Sequence, residues 1–345
     1  MFPMGKMMNK SIKIGVIGAG SWGTALAILL AKKGYLVNLW GHNDSHVSRL
    51  SKDRENRKYL PGIIFPQSLH PESELDPCID GADTVVMVVP SHSYRTVFQK
   101  IIPLLSDNQR IVTAVKGIEN DTLMTMTQVM EQELACFSGV QNIGLGVLSG
   151  PSFAEEVARE IPTAVTLGFK DIEMAKEVQK IFGTEYFRVY ASSDMVGLEI
   201  SAALKNIIAI ATGVCDGLGY GLNTRAALIT RGLAEITRLG TALKADVATF
   251  SGLSGMGDLI LTCTGNLSRN RNVGLKLGSG KSIEQVKSEM NMVAEGIKTT
   301  KSVYDLAAKM GIEMPILEQV YNIIYRNKNC SEAVKDLLNR ELKVE

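Results

Sequence analysis

Along the first half of the chain, short apolar runs rich in β-branched residues alternate with stretches of helical period, and the two periods together predict strands separated by helices. The runs fall at residues 12–17, 36–40, 84–89, 111–115, 143–148 and 163–167. They are almost wholly apolar, as strands covered on both faces must be, so the expectation is a parallel sheet built from βαβ units. Between the first two runs, residues 22–33 read as a helix ending in Lys32-Lys33 and then Gly34, a basic last turn followed by a stop signal. After about residue 190 the strand-like runs cease. Helical periodicity with glycine breaks takes over near 195–216, 224–243, 282–290 and 297–309. Residues 1–190 are therefore expected to form an α/β domain and residues 191–345 an all-helical one, joined without a long Pro/Gly/Ser linker. A length of 345 residues agrees with two cores.

The most apolar stretch, 198–214, could be taken for a membrane span, but Glu199, Lys205 and Asn206 interrupt it. A lysine or carboxylate at the centre of a bilayer is costly, so a buried helix with a functional polar stripe fits better, and no stable membrane insertion is expected. Apolar residues at 45% and charged residues at 21% describe an ordinary folded chain. With 37 basic against 36 acidic side chains there is no field to gather nucleic acid or an anionic membrane, so any anionic ligand must be held locally. The five cysteines are scattered, odd in number and without a CxxC pair. They read as reduced thiols, and the first residues lack the apolar segment of a secretory signal; the expected location is cytoplasmic. No metal site is assigned.

Gly18-Ala19-Gly20-Ser21-Trp22-Gly23 is a G-x-G-x-x-G that directly follows a strand and opens a helix. In that setting Gly18 permits the tight turn, Gly20 lets backbone approach a pyrophosphate and Gly23 lets helix pack on strand. The expectation is a Rossmann-type dinucleotide site, against the bland reading of a glycine-rich turn without a ligand. A carboxylate usually ends the second strand where NAD is selected, yet here the strand ends Trp40-Gly41-His42. Nothing at that tip repels a 2′-phosphate and His42 can donate to one, so NADP should be tolerated. The Pro90-Ser91-His92-Ser93 loop and Lys116-Gly117 each follow a strand at the edge where ligands bind in such folds.

Lys205 lies in an apolar helix, where lysine is rarely placed without a partner or a task. Burial would lower its pKa toward the range useful for proton transfer; the competing reading is a lysine that snorkels or pairs with Glu199. Ser268-Arg269-Asn270-Arg271 follows a glycine turn. An arginine beside hydroxyl and amide donors suits a phosphate, although Ser268 and Asn270 could equally serve as a helix cap.

The segments GAGSWGTALA (18–27), ENRKYLPG (55–62), AVKGIE (114–119), SGPSFAEE (149–156), LKNIIAIATG (204–213), GLSGMGDLILTCTGNLSRNRNVG (252–274) and VAEGIKTT (293–300) occur in the order in which glycerol-3-phosphate dehydrogenases of the bacterial NAD(P)-dependent type carry them. The chain resembles that family from about residue 12 to 327. The resemblance implies hydride transfer between the cofactor and the central carbon of dihydroxyacetone phosphate or sn-glycerol 3-phosphate. It makes Lys205 the general acid/base, with Lys116 and Asp258 as catalytic companions and Asn206 and Thr262 as polar neighbours. It lines the substrate with Lys116, Gly150, Ser152, Lys205, Asp258, Ser268, Arg269 and Asn270. Ser21, Trp22, His42, Lys116, Ala154, Arg269, Val293 and Glu295 join the motif glycines at the cofactor. It further implies a homodimer and a supply of glycerol 3-phosphate for phospholipid synthesis. A β-hydroxyacid dehydrogenase or ketopantoate reductase would share the lysine but take a carboxylate substrate, and a non-catalytic nicotinamide sensor would need no such lysine.

Overall fold

The computed structural model describes residues 12–290, 294–342 and 344. Its strands are β1 (Lys13–Ile17), β2 (Leu36–Trp40), β3 (Glu55–Asn56), β4 (Leu60–Ile64), β5 (Leu69–Glu72), β6 (Thr84–Met87), β7 (Arg110–Thr113), β8 (Gly144–Ser149), β9 (Thr163–Phe169) and β10 (Phe187–Ser192). Eight of them form one sheet in the order β10-β9-β8-β7-β6-β1-β2-β5, and β3 pairs with β4 in a separate hairpin. β1 runs parallel to both neighbours, with Ile14 opposite Val37 on one side and Thr84 on the other. Because β1, β2, β6, β7 and β8 are all parallel, their carboxyl ends share one edge of the sheet. The chain crosses from β2 and β5 to β6 on opposite sides of β1, so the strand order reverses there, and sheets of this kind take their ligand in the crevice outside that edge.

The sheet departs from the expected parallel arrangement at β9, which pairs antiparallel with β8, Gly146 opposite Phe169. An apolar run reports burial on both faces and is silent about direction. A parallel return usually needs a full crossover helix, and the connection 150–162 carries only the five-residue helix Ala154–Ala158. β10, β5 and the β3–β4 hairpin are also absent from the sequence reading, being short or studded with polar residues and proline.

Beyond Ser192 every element among the described residues is helical. The helix Met195–Gly217 runs through the middle of this part, buried around nearly its whole circumference, which is why its sequence is apolar on all sides. It is long and apolar enough to cross a membrane by length and composition, yet its apolar window is entirely buried inside the fold. The helix Arg269–Gly278 packs backbone to backbone on it: a Cβ at Gly274 would sit 2.0 Å from the Ile210 carbonyl oxygen. That contact fixes the Arg269 end relative to the middle of the long helix. Glu199 is buried but does not pair with Lys205. Its carboxylate accepts from the Thr127 N–H at 2.9 Å and from the Thr127 hydroxyl, capping the helix Met126–Ala135 from across the junction. Burial raises the Glu199 pKa, opposed by those hydrogen bonds.

Candidate active site

The crevice is built by the turn after β1. Gly18 adopts φ 128°, where an added Cβ would meet the Val88 carbonyl oxygen at 2.7 Å; at Gly23 it would meet the Gly18 carbonyl oxygen at 1.9 Å. Around Gly20 an added Cβ would meet nothing within 4 Å. The helix Ser21–Lys32 that follows is capped by no side chain, so its first N–H groups are left for an anion. A tight turn, an open middle glycine and an uncapped helix start together fit a dinucleotide pyrophosphate. Ser21 and Trp22 open this helix, both partly buried, and the Trp22 indole Nε1 has no hydrogen-bond partner among the described residues.

His42 is exposed at the tip of β2. Its neighbour His46 feels positive charge from Lys58, Arg49 and His42, although desolvation is the first cause of its lowered pKa. Positive charge from Arg49 and Lys58, neither of them singled out from the sequence, thus reaches His46, four residues on from His42. Arg49 lies three residues on from His46 in the helix Asp44–Asp53, whereas Lys58 belongs to the β3–β4 turn and only the fold brings it near His46.

On the far side of the crevice three charged groups meet. Lys116, just past β7, donates to Asp258 Oδ2 at 3.0 Å and to the Gly150 carbonyl at 3.2 Å. Lys205 donates to Asp258 Oδ1 and, at 2.8 Å, to the Thr262 hydroxyl, which in turn donates to the Asp258 carbonyl at 2.6 Å. Asp258 is 1% exposed and Lys205 4%, so two lysines share one buried carboxylate in a setting of low dielectric. Desolvation drives the Lys205 pKa down to about 7; Asp258 pulls it up and Lys116 pushes it further down. A π-helical turn, Leu253–Gly257, leads into Asp258. Cys263, next in the chain to Thr262, has its thiol pushed up to about 12 by burial and is chemically quiet.

Some of the remaining residues singled out in the sequence connect to this cluster, through the Gly150 carbonyl that Lys116 bonds and through Asn206 beside Lys205. Ser152 donates to the Gly150 carbonyl at 3.0 Å, and Ala154 opens the helix Ala154–Ala158. Ser268 is the N-cap of the helix Arg269–Gly278, accepting from the Arg271 N–H at 3.2 Å. Asn270 bridges two other elements, its Nδ2 donating to Asn206 Oδ1 at 2.8 Å and its Oδ1 accepting from the Gly296 N–H at 3.0 Å. Arg269, between them, is exposed and electrostatically coupled to Glu295. Glu295 accepts from the Ser91 hydroxyl at 2.8 Å, which joins the loop after β6 to the start of the helix Glu295–Met310. Val293 lies outside the described residues.

A glycine turn fit for a dinucleotide and a buried lysine held by one carboxylate agree with the class: an oxidoreductase that works with a nicotinamide cofactor, NAD or NADP. Two family profiles, for the N-terminus and the C-terminus of NAD-dependent glycerol-3-phosphate dehydrogenase, match residues 13–175 and 194–335. The chain belongs to the glycerol-3-phosphate dehydrogenase family. It is 64% identical to the glycerol-3-phosphate dehydrogenase [NAD(P)+] of Desulfotalea psychrophila over 98% of this chain and 100% of that one. The crystal structure of the Coxiella burnetii glycerol-3-phosphate dehydrogenase superposes with TM-score 0.91 at 40% identity, covering 96% of this chain and 99% of the other. The Saccharomyces cerevisiae enzyme gives 0.81 at 28% identity, covering 96% and 100%.

Proposed function

We infer that this chain interconverts dihydroxyacetone phosphate and sn-glycerol 3-phosphate with NAD or NADP, and that Lys205 carries the proton. The observation behind this reading is a lysine buried among apolar residues, with a pKa of about 7, tied through one carboxylate to a second lysine. The cofactor, when bound, supplies hydride to the central carbon in reduction and takes it up in oxidation. Lys205 gives its proton to the carbonyl oxygen as charge develops there and removes the hydroxyl proton in the reverse direction. Asp258 holds Lys205 in one rotamer and restores part of the charge that burial opposes. Lys116 holds the other carboxylate oxygen and adds positive charge where the oxygen of the substrate becomes negative. The Thr262 hydroxyl accepts from Lys205 and keeps the ammonium aimed.

Arg269 binds the substrate phosphate, with Gly150, Ser152, Ser268 and Asn270 lining the same place; the hydrogen bonds of Ser268 and Asn270 keep the start of that helix stiff beneath the arginine. Gly18, Gly20, Ser21, Trp22, Gly23, His42, Lys116, Ala154, Arg269 and Glu295 form the cofactor side. In keeping with its family, the chain acts as a cytoplasmic homodimer, with domains divided near residue 190, and supplies glycerol 3-phosphate for phospholipid synthesis. The test is to follow loss of reduced-cofactor absorbance with dihydroxyacetone phosphate and, separately, with dihydroxyacetone. The phosphorylated ketone should be consumed rapidly and the unphosphorylated one far more slowly, because the phosphate contact positions as well as binds. Equal rates would overturn the substrate assignment.

A further inference from the structure

Asn56 is fully buried beneath the glycine turn, and the function described so far gives it no part. Its Nδ2 donates to the Ala19 carbonyl at 3.1 Å and to Thr24 Oγ1 at 2.8 Å, while its Oδ1 accepts from the Tyr59 N–H at 3.2 Å. The His46 imidazole lies against the same Ala19 carbonyl. The hairpin that presents Asn56 is itself fastened on both sides. Glu55 accepts from the Gly62 N–H at 2.8 Å, and the Arg54 guanidinium donates to the Leu69 carbonyl at 2.9 Å and to the Pro66 carbonyl. The Ala19 carbonyl and the Gly20 N–H belong to one trans peptide plane, in which the two bonds point in opposite directions. Holding the carbonyl toward the hairpin therefore aims the Gly20 N–H away from it, and Gly20 is the glycine of the turn where an added Cβ would meet nothing within 4 Å. Without that hold, the plane could turn and set a carbonyl oxygen against bound phosphate.

We propose that Asn56 is a positioning residue for the cofactor pyrophosphate: it fixes the Ala19–Gly20 peptide so that the turn presents an N–H, and it touches no cofactor atom itself. The proposal rests on the reading of Gly18 to Gly23 as the dinucleotide site. Its variants are Asn56→Ala and Asn56→Leu, which is close to asparagine in shape but uncharged and without a group that donates to the carbonyl. Steady-state kinetics should show the KM for reduced cofactor raised about tenfold, the effect of one buried hydrogen bond lost. The dihydroxyacetone phosphate KM and the kcat at saturating cofactor should stay within about threefold. Inhibition against the cofactor separates positioning from general softening. The Ki of ADP-ribose, which carries the pyrophosphate, should rise with the KM, while the Ki of adenosine should hold within about twofold. If ADP-ribose fails to compete with the wild type, the dinucleotide reading itself falls. If it competes equally well with wild type and Asn56→Leu, or if adenosine weakens as much as ADP-ribose, the positioning role is wrong. Should Asn56→Ala fail to fold, Asn56→Leu alone carries the comparison.

Discussion

Replacing Lys205 by arginine tests the proton-transfer role more sharply than alanine does, because arginine keeps the charge and gives up its proton only at far higher pH. In the native site burial takes the Lys205 pKa from 10.5 to about 7, with Lys116 adding to the fall and Asp258 opposing it. At pH 7 about half of the molecules then hold a neutral lysine, against roughly one in 3,000 for an unperturbed side chain. Oxidation of glycerol 3-phosphate needs the neutral form as base. Its kcat/KM should climb with pH and level off above about 7, whereas kcat/KM for ketone reduction should be flat in acid and fall about tenfold per unit above that point. Lys205→Arg and Lys205→Ala should both lose about 10²–10⁴ in kcat, with the cofactor Kd nearly unchanged. A stability consequence follows from the same shift: the unfolded chain holds this proton up to about pH 10.5 while the folded one releases it near 7, so stability rises with pH across that window. Lys205→Met should flatten the slope. Initial rates in both directions from about pH 6 to 9, read by cofactor absorbance, check the catalytic part. Flat profiles in both directions, or a Lys205→Arg enzyme with more than about a tenth of the native turnover, would refute the assignment.

Arg269→Ala should raise the KM for dihydroxyacetone phosphate about tenfold or more, the scale of a lost charge-assisted contact, and leave the slow reaction of dihydroxyacetone alone. An unchanged KM would leave Arg269 as an extension of the cap at Ser268. Both cofactors should serve, NADPH at least as well as NADH, and His42→Asp should shift the ratio of their catalytic efficiencies toward NADH by adding repulsion against the 2′-phosphate. If that ratio stays put, Arg49 or Lys58 reads the ribose instead. Glu199→Ala strips the buried cap from the helix Met126–Ala135 and should lower unfolding stability by about 1–3 kcal/mol, seen as a lower denaturant midpoint at an unchanged slope. Glu199→Gln, which still accepts, should lose less; equal midpoints for native and alanine enzymes would show that the cap is not needed.

What the sequence by itself determined is what local chemistry dictates. The tight turn at Gly18, the helix after it ending at Lys32 and Gly34, the apolar strands and the long helix around Lys205 are each specified by residues adjacent in the chain, through backbone sterics and periodicity, and the structure has them where the pattern put them. Lys205 drew attention as a charge in an apolar run, but its partner could not be read there. Glu199, near it on the same helix, bonds Thr127 instead, and the carboxylate that does hold Lys205 is Asp258, which also takes Lys116 from the other part of the chain. That convergence, the antiparallel turn into β9, the approach of Lys58 to His46 and the anchoring of the glycine turn by Asn56 were decided only by tertiary structure. The physical reason is one of range. Propensity and capping act over a few residues, whereas burial of a charge, and with it the fall of the Lys205 pKa to about 7, exists only once distant segments have packed and excluded water.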